Sequence, residues 1–143
     1  MYSIMKQIDF CAGHRLLNHG GKCENLHGHN YRLQVHVSAK ELDSVGRVID
    51  FVEIRNLFKA WIDEHWDHGF VLAEFDSNAI EAVKQVQPHK LYLIPWNPTA
   101  ELMARYLMER VVPQLGLDEQ RDVRVPKLVL WETETSFAEV QCS

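Results

Sequence analysis

Apolar and polar side chains alternate in one stretch of the chain that begins just after residue 30. The apolar face of this stretch is formed by Tyr31, Leu33, Val35 and Val37. A period of two is typical of an antiparallel strand with one buried face. A weaker pattern predicts an earlier strand that runs through Phe10 to His14, and two more strands are expected over residues 123–133 and 136–140.

Helical spacing replaces this alternation in two segments. The first is expected to begin at Asp50, because Asp50 and Glu53 are spaced like the two residues of a capping box. Its apolar positions then recur every three or four residues, at Phe51, Ile54, Leu57, Phe58, Trp61 and Ile62. The second helix is expected to begin at Asn97-Pro98, since proline suits the first helical position, and to end within residues 113–116.

The order of two strands, two helices and two strands predicts an α+β fold, an antiparallel sheet with both helices on one face. Residues 71–95 are harder to interpret, and are expected to hold a short helix and an extended segment around residues 91–93. A length of 143 residues fits a single domain over 1–143. Because such a sheet has open edges that need covering, we expect a homo-oligomer.

Composition narrows the possible partners and the compartment. The formal net charge of −5 argues against a general nucleic-acid or anionic-membrane surface. No apolar run approaches the ~20 residues of a membrane span, and the N-terminus has no signal-peptide core. Three cysteines are too few for a disulfide scaffold. These features favour a reducing, cytoplasmic setting.

Three histidines form the strongest candidate for chemistry. His27 and His29 lie two apart at the start of the alternating strand, so their side chains point the same way. If the preceding strand pairs with it, His14 comes beside them. Three imidazoles with one open position are typical of a catalytic zinc site. Cys23 leaves two interpretations open, a fourth ligand in a closed structural site or a thiolate base beside the metal.

Two further features are weaker. Asp67-His68 follows the first predicted helix, and such a pair can act as an acid–base relay. The residues alone favour a polar helix end. Glu132 lies in a predicted strand, where a buried carboxylate would need a guanidine-like ligand edge as its partner. The pattern alone favours an exposed strand residue.

Taken together, these segments closely resemble the 6-pyruvoyltetrahydropterin synthase family, and in particular its bacterial branch, the 6-carboxytetrahydropterin synthases of queuosine biosynthesis. The resemblance is carried by FCAGHRL at residues 10–16 and CENLHGH at residues 23–29. It extends, in the family's order, to Val48-Ile49-Asp50-Phe51, Asp67-His68, Asn97-Pro98-Thr99-Ala100-Glu101 and Trp131-Glu132-Thr133.

The resemblance implies the tunnelling fold, a four-stranded antiparallel sheet with two helices whose subunits assemble into barrels, commonly hexamers. It also implies roles for individual residues. Zn²⁺ would be bound by His14, His27 and His29. Cys23 would be the proton-abstracting base, Asp67 and His68 the relay, and Glu132 the anchor of the pterin ring, with Thr99 and Glu101 near the pterin pocket.

The implied substrate is 7,8-dihydroneopterin triphosphate, which would yield 6-carboxy-5,6,7,8-tetrahydropterin, acetaldehyde and triphosphate. Arg15 and Lys22 are candidates for binding the triphosphate. Glu24 leaves the product open, because a glutamate near this position replaces the cysteine in a related branch that forms 6-hydroxymethyl-dihydropterin. 6-Pyruvoyltetrahydropterin synthase activity is a third possibility. A zinc-stabilised oligomer that binds a pterin without turnover is the alternative outside enzymes.

Overall fold

The computed structural model describes residues 1–118 and 121–142 and contains a six-stranded mixed sheet. The strands are β1 (Tyr2–His14), β2 (His27–Ala39), β3 (Gly69–Ala73), β4 (Leu91–Ile94), β5 (Arg124–Thr133) and β6 (Ser136–Gln141). Their order across the sheet is β4-β3-β1-β2-β5-β6. The pairs β1–β2, β2–β5 and β5–β6 are antiparallel, whereas β1–β3 and β3–β4 are parallel.

Three α-helices connect these strands. They are α1 (Phe51–His65), α2 (Ser77–Lys84) and α3 (Ala100–Tyr106). A π-helical turn over Leu107–Val111 and a 3-10 turn over Val112–Gln114 continue α3, so this helical segment ends within the predicted range. A further 3-10 turn, Lys22–Glu24, lies between β1 and β2. No helix in the described part of the chain is long and apolar enough to cross a membrane.

The α+β class is confirmed, but the prediction of four antiparallel strands and two helices is wrong. The additional elements are β3, α2 and β4, which form a parallel strand–helix–strand unit. The short helix and the extended segment expected within residues 71–95 are confirmed as α2 and β4, whereas β3 and the parallel pairing were not predicted. A parallel pair needs a crossover connection, and α2 supplies it. The β3 sequence GFVLA is a continuous apolar run without alternation. It therefore lacks the period-two signal of a half-exposed strand.

The two faces of the sheet carry different helices. On one face, α1 and α3 cover the main core, which contains Leu33 of β2 and Phe58 of α1, both almost completely buried. On the other face, α2 packs on Leu72 of β3 in a smaller cluster. The two helices that were expected on one face, α1 and α3, do share it. The additional helix α2 lies on the other face.

Helix caps show why α1 and α3 begin where they do. Asp50 caps α1 as predicted, and its carboxylate accepts a hydrogen bond from the Val52 N–H. The cap of α3 is Thr99, whose hydroxyl accepts from the Leu102 N–H. The helix thus begins two residues after the predicted Pro98, because Thr99 offers the side-chain oxygen that a cap requires.

Candidate metal and catalytic site

The β1–β2 ladder brings the three predicted histidines together. His14 lies directly opposite His27 in this antiparallel pair, and Ala12 lies opposite His29. The alternation of β2 directs His27 and His29 to the same face as the buried Tyr31. One ring nitrogen of each histidine lies within 4.8 Å of those of the other two.

Backbone carbonyls orient two of the rings. His14 Nδ1 lies 2.7 Å from the carbonyl oxygen of Pro98, and His27 Nδ1 lies 2.7 Å from that of Asn25. A carbonyl only accepts hydrogen bonds, so Nδ1 of each ring carries the proton and donates it. The opposite nitrogens therefore present lone pairs. These two Nε2 atoms lie 3.1 Å apart.

Burial keeps the rings of His14 and His29 in the neutral form that binds metals. His14 is only 1% exposed. Its burial, together with the neighbouring His27 and His29, lowers the pKa of His14 to about 4, against a smaller opposing effect of the Pro98 carbonyl. Burial also lowers the pKa of His29, although the carboxylate of Glu132 acts in the opposite direction. At neutral pH these are neutral imidazole ligands.

The geometry and the donor set fit a zinc ion. Two unprotonated nitrogens at 3.1 Å repel each other unless a cation lies between them. A tetrahedral ion with Zn–N bonds of about 2.0–2.1 Å separates its ligand nitrogens by ~3.3 Å, which is close to this spacing. His29 Nε2 is buried and has no hydrogen-bond partner among the described residues. A bound ion would give this orphaned nitrogen its partner.

Cys23 is near this cluster in sequence but is not part of it. The residue lies in the Lys22–Glu24 turn, partly buried, as a free thiol. Its sulfur does not lie within 4.8 Å of all three histidine nitrogens. The neighbouring Glu24 carboxylate accepts a hydrogen bond from the Gly20 N–H at 2.9 Å. The structure thus does not form the closed site in which Cys23 is the fourth ligand.

Asp67 and His68 do form a pair. His68 Nδ1 lies 2.9 Å from Asp67 Oδ2. Burial alone would raise the pKa of Asp67, but hydrogen bonds from the Cys11 N–H and from His68 outweigh it and lower that pKa. The carboxylate is therefore ionised at neutral pH. Such a carboxylate can orient the ring of His68 and stabilise its protonated form.

Backbone hydrogen bonds fix this pair against β1. The Cys11 N–H donates to Asp67 Oδ1 at 3.0 Å, and the His68 N–H donates to the Cys11 carbonyl at 2.7 Å. His68 has a positive φ of 61°, a conformation that is unfavourable for a residue with a side chain. Strain of this kind persists where surrounding contacts impose it, often at functional sites.

The relay pair and the histidine cluster lie on opposite faces of the sheet. Residues three apart in a strand point to opposite faces, so Cys11 faces away from the side of His14. A cavity of about 440 Å³ on the Cys11 side is lined by Cys11, Asp67, His68 and Trp131, among others. The side chain of His68 is 78% exposed. Within one chain, the structure does not bring Cys23 into a group with the relay.

Glu132 faces the histidine cluster instead of open solvent. Its Oε1 lies 3.6 Å from His29 Nε2, and its side chain is 28% exposed. The pattern-based expectation of an exposed strand residue is thus wrong, because Glu132 is partly buried. The reason is the register of β5 on β2, which places Trp131 opposite Arg32 and thereby directs Glu132 to the face of His29.

The other predicted residues have simpler surroundings. Thr99 caps α3, and Glu101 is exposed on the first turn of that helix. Arg15 is held by Asp76, with its Nε 2.6 Å from Oδ2. Because this buried carboxylate already neutralises it, Arg15 is a poor candidate for the triphosphate. Lys22 remains exposed.

Sequence reasoning missed two contributors to the site. Cys11 belongs to the FCAGHRL motif, but its own chemistry attracted no prediction. Cys11 lies three residues before His14 in β1. An odd-numbered separation in a strand places the two side chains on opposite faces, and therefore Cys11 on the face of Asp67 and His68. The Pro98 carbonyl, which orients His14 from 84 residues away, has no signal in the sequence because it is a backbone atom.

Comparison with known proteins finds similar proteins over almost the whole chain. The family model described as 6-pyruvoyl tetrahydropterin synthase matches residues 3–142. A 6-carboxy-5,6,7,8-tetrahydropterin synthase from Rickettsia typhi is 39% identical over 140 residues, which covers 98% of this chain and 100% of the relative.

Solved structures share the fold. An uncharacterised protein from Wolinella succinogenes superposes with a TM-score of 0.79 at 25% identity, covering 99% of this chain and 98% of that one. A Plasmodium vivax 6-pyruvoyltetrahydropterin synthase, in a variant with a catalytic glutamate replaced by cysteine, gives 0.72 at 17% identity and covers 98% of each chain. The chain therefore belongs to the 6-pyruvoyl tetrahydropterin synthase family.

Proposed function

We propose that this chain is a zinc-dependent lyase that converts 7,8-dihydroneopterin triphosphate to 6-carboxy-5,6,7,8-tetrahydropterin, acetaldehyde and triphosphate, as in queuosine biosynthesis. The observation that carries the proposal is the cluster of the buried His14 with the partly buried His27 and His29, in a chain that matches a 6-carboxytetrahydropterin synthase over its full length. A zinc ion bound by these histidines supplies Lewis-acid catalysis to the oxygens of the substrate side chain.

The residues around the cluster then hold the substrate and move protons. Cys23, as the thiolate, takes a proton from a carbon of the side chain. His68 receives and returns protons during tautomerisation, and Asp67 holds its ring. Glu132 anchors the amino-pyrimidine edge of the pterin, because a carboxylate can accept two parallel N–H bonds. Its position beside His29 supports this role.

The separation of Cys23 from the relay supports a site shared between subunits. His68 is 78% exposed on one face of the sheet, while the histidine cluster opens on the other. We propose a homo-oligomer, a hexamer in keeping with the family resemblance, in which Cys23 and the metal of one subunit meet the Asp67–His68 pair of another. Thr99 and Glu101 would contact the pterin, and the reaction would take place in the cytoplasm.

Glu24 supports a second candidate, formation of 6-hydroxymethyl-dihydropterin. Glu24 and Cys23 are adjacent in one 3-10 turn, and the relative from Plasmodium vivax has a catalytic glutamate. In this chain the Glu24 carboxylate is bonded to the Gly20 N–H, which favours Cys23 as the base.

Mass-spectrometric product analysis tests the proposal. Zinc-loaded protein is incubated with 7,8-dihydroneopterin triphosphate beside Cys23→Ala and Glu24→Ala variants. We expect 6-carboxytetrahydropterin and acetaldehyde from the parent protein and from Glu24→Ala, and neither from Cys23→Ala. A hydroxymethyl product that survives in Cys23→Ala and disappears in Glu24→Ala would establish the second candidate. A folded, metal-loaded protein that forms no product would contradict both and leave a pterin-binding oligomer.

A further inference from the structure

A second group of metal-ligating side chains lies on the opposite face of the sheet from the histidine cluster. It consists of Cys11, Asp67 and His68, with one ligand atom of each within 4.8 Å of those of the other two. We propose that these three residues form a second site for a thiophilic divalent cation such as Zn²⁺, and that its occupancy blocks the acid–base relay.

The donor set suits zinc. A thiolate, an imidazole and a carboxylate are the three side-chain donors that this ion takes in proteins, and three protein ligands leave a fourth position for water or substrate. Binding releases the thiol proton of Cys11 to solvent and forms a bond between its sulfur and the ion. The group borders the 440 Å³ cavity, and within one chain the ring of His68 is 78% exposed.

Hydrogen bonds hold the backbone that carries these ligands in place before any ion arrives. The backbone of Cys11 is bonded in both directions, as its N–H donates to Asp67 and its carbonyl accepts from the His68 N–H. The Asp67 carbonyl accepts from Lys90 Nζ at 2.7 Å, which ties the same turn to β4. Preorganised ligands lose little conformational entropy on binding, and such rigidity favours a well-defined metal geometry.

The consequence for turnover rests on the proposed function. An ion on His68 and Asp67 occupies the ring nitrogen or the carboxylate that the relay needs for proton transfer. Excess zinc would then inhibit the reaction that one equivalent of zinc supports. Cys11 supplies the thiolate that holds the inhibitory ion, so it is the residue that sets this sensitivity.

Cobalt titration tests the site without any assay of turnover. Co²⁺ is added to metal-free protein, and the number of bound equivalents and the thiolate-to-cobalt charge-transfer absorption are recorded. The parent protein, Cys23→Ser and Cys142→Ser are expected to bind two equivalents and to show this absorption. Cys11→Ser is expected to bind one equivalent and to lack it. His29→Ala is expected to lose the other equivalent and to keep the absorption.

Several outcomes would overturn the proposal. They are a single equivalent in the parent protein, absorption that persists in Cys11→Ser, or absorption that depends on Cys23. His68→Gln changes an exposed side chain and is the second variant, in case Cys11→Ser does not fold by circular dichroism. It must also lose the second equivalent.

Inhibition by excess zinc is measured separately as the ratio of turnover with and without the excess. If the cobalt result holds but turnover is absent, only the proposed function fails.

Discussion

Near the C-terminal end of β1, the two faces of the sheet carry two histidine-containing groups that differ in burial. On the helix-covered face, His14 is 1% exposed, its ring is oriented by a carbonyl, and its pKa is lowered to about 4. On the other face, the side chain of His68 is 78% exposed and its ring is held by a single carboxylate. The histidine group is complete within one chain, whereas the exposed pair lacks the Cys23 thiol with which we propose it works.

This difference shows how the fold divides the chemistry. Metal ligands need neutral rings in a dry, rigid setting, which the core provides. A relay histidine must change its protonation state during turnover, so it needs contact with substrate and with a second proton-carrying group. Strand alternation supplies both environments within four residues, because Cys11 and His14 face opposite ways. The following predictions test this division.

Removal of one histidine of the cluster is expected to have the largest effect. His29→Ala should lose the zinc equivalent held by the histidine cluster and lower turnover by on the order of 1,000-fold, because metal catalysis lowers the barrier by several kcal/mol. Zinc content is measured by mass spectrometry beside turnover. The control is His36→Ala, which changes another histidine of β2 on the opposite face. A His29→Ala variant that binds as much zinc as the parent protein and keeps its turnover would contradict the cluster.

Removal of the thiol is expected to affect catalysis alone. Cys23→Ala should lower turnover by about 100-fold or more, which is typical for loss of a general base. Its zinc content should match that of the parent protein, because the sulfur lies outside the histidine group. Cys142→Ala provides the control. Joint loss of zinc and thermal stability in Cys23→Ala would instead make Cys23 a structural ligand.

The ion pair between Arg15 and Asp76 is expected to stabilise the fold. Its contribution to the unfolding free energy should depend on pH. Arg15→Gln leaves the carboxylate of Asp76 buried and unpaired, which typically costs about 3 kcal/mol of unfolding free energy at neutral pH. The hydrogen bond from Arg15 lowers the pKa of Asp76, although burial opposes it. The contribution is therefore present above the ordinary aspartate pKa of about 3.9 and is lost as the pH falls through the folded-state value.

Urea unfolding at neutral and acidic pH measures this difference. Arg124→Gln is the control, since Arg124 makes a similar contact with Asp122 on the surface and such pairs contribute at most about 1 kcal/mol. An equal loss in both variants, or a loss for Arg15→Gln that grows as the pH falls, would contradict the assigned role.

The smallest effect is expected for substitutions of Thr99, which distinguish its role as the cap of α3 from a contact with the pterin. Thr99→Ala removes the cap of α3 and should lower the unfolding free energy by about 1 kcal/mol, while Thr99→Ser should keep most of it. If Thr99 also contacts the pterin, Thr99→Ala should raise KM in addition. An unchanged KM with reduced stability would leave Thr99 as a cap alone. Chemical unfolding and steady-state kinetics measure the two effects.

The parts of the fold with strong local patterns were predictable from sequence. The alternation of β2 and the Asp50 cap of α1 identified those elements closely. The β3 strand was not found, because five apolar residues buried on both faces give no period. Without β3, the extended segment expected around residues 91–93 had no partner, so its parallel pairing was not predicted.

The candidate site was predictable to a similar degree. His27 and His29 share a face by spacing alone, and the strand pairing brought His14 beside them. The surroundings of Glu132 and the pairing of Arg15 with Asp76 were not predictable. Both depend on contacts between segments far apart in the chain, for which the local pattern has no signal.

The most direct test of the divided site is a mixing experiment with two inactive variants. Cys23→Ala and His68→Gln are each assayed alone, then unfolded together, refolded as mixed oligomers with zinc, and assayed again. If each site combines Cys23 of one subunit with His68 of another, an equal mixture should recover up to roughly a quarter of the parent turnover, because that fraction of interfaces holds both intact residues. Mixed oligomers that form but stay as inactive as the separate variants would contradict the account.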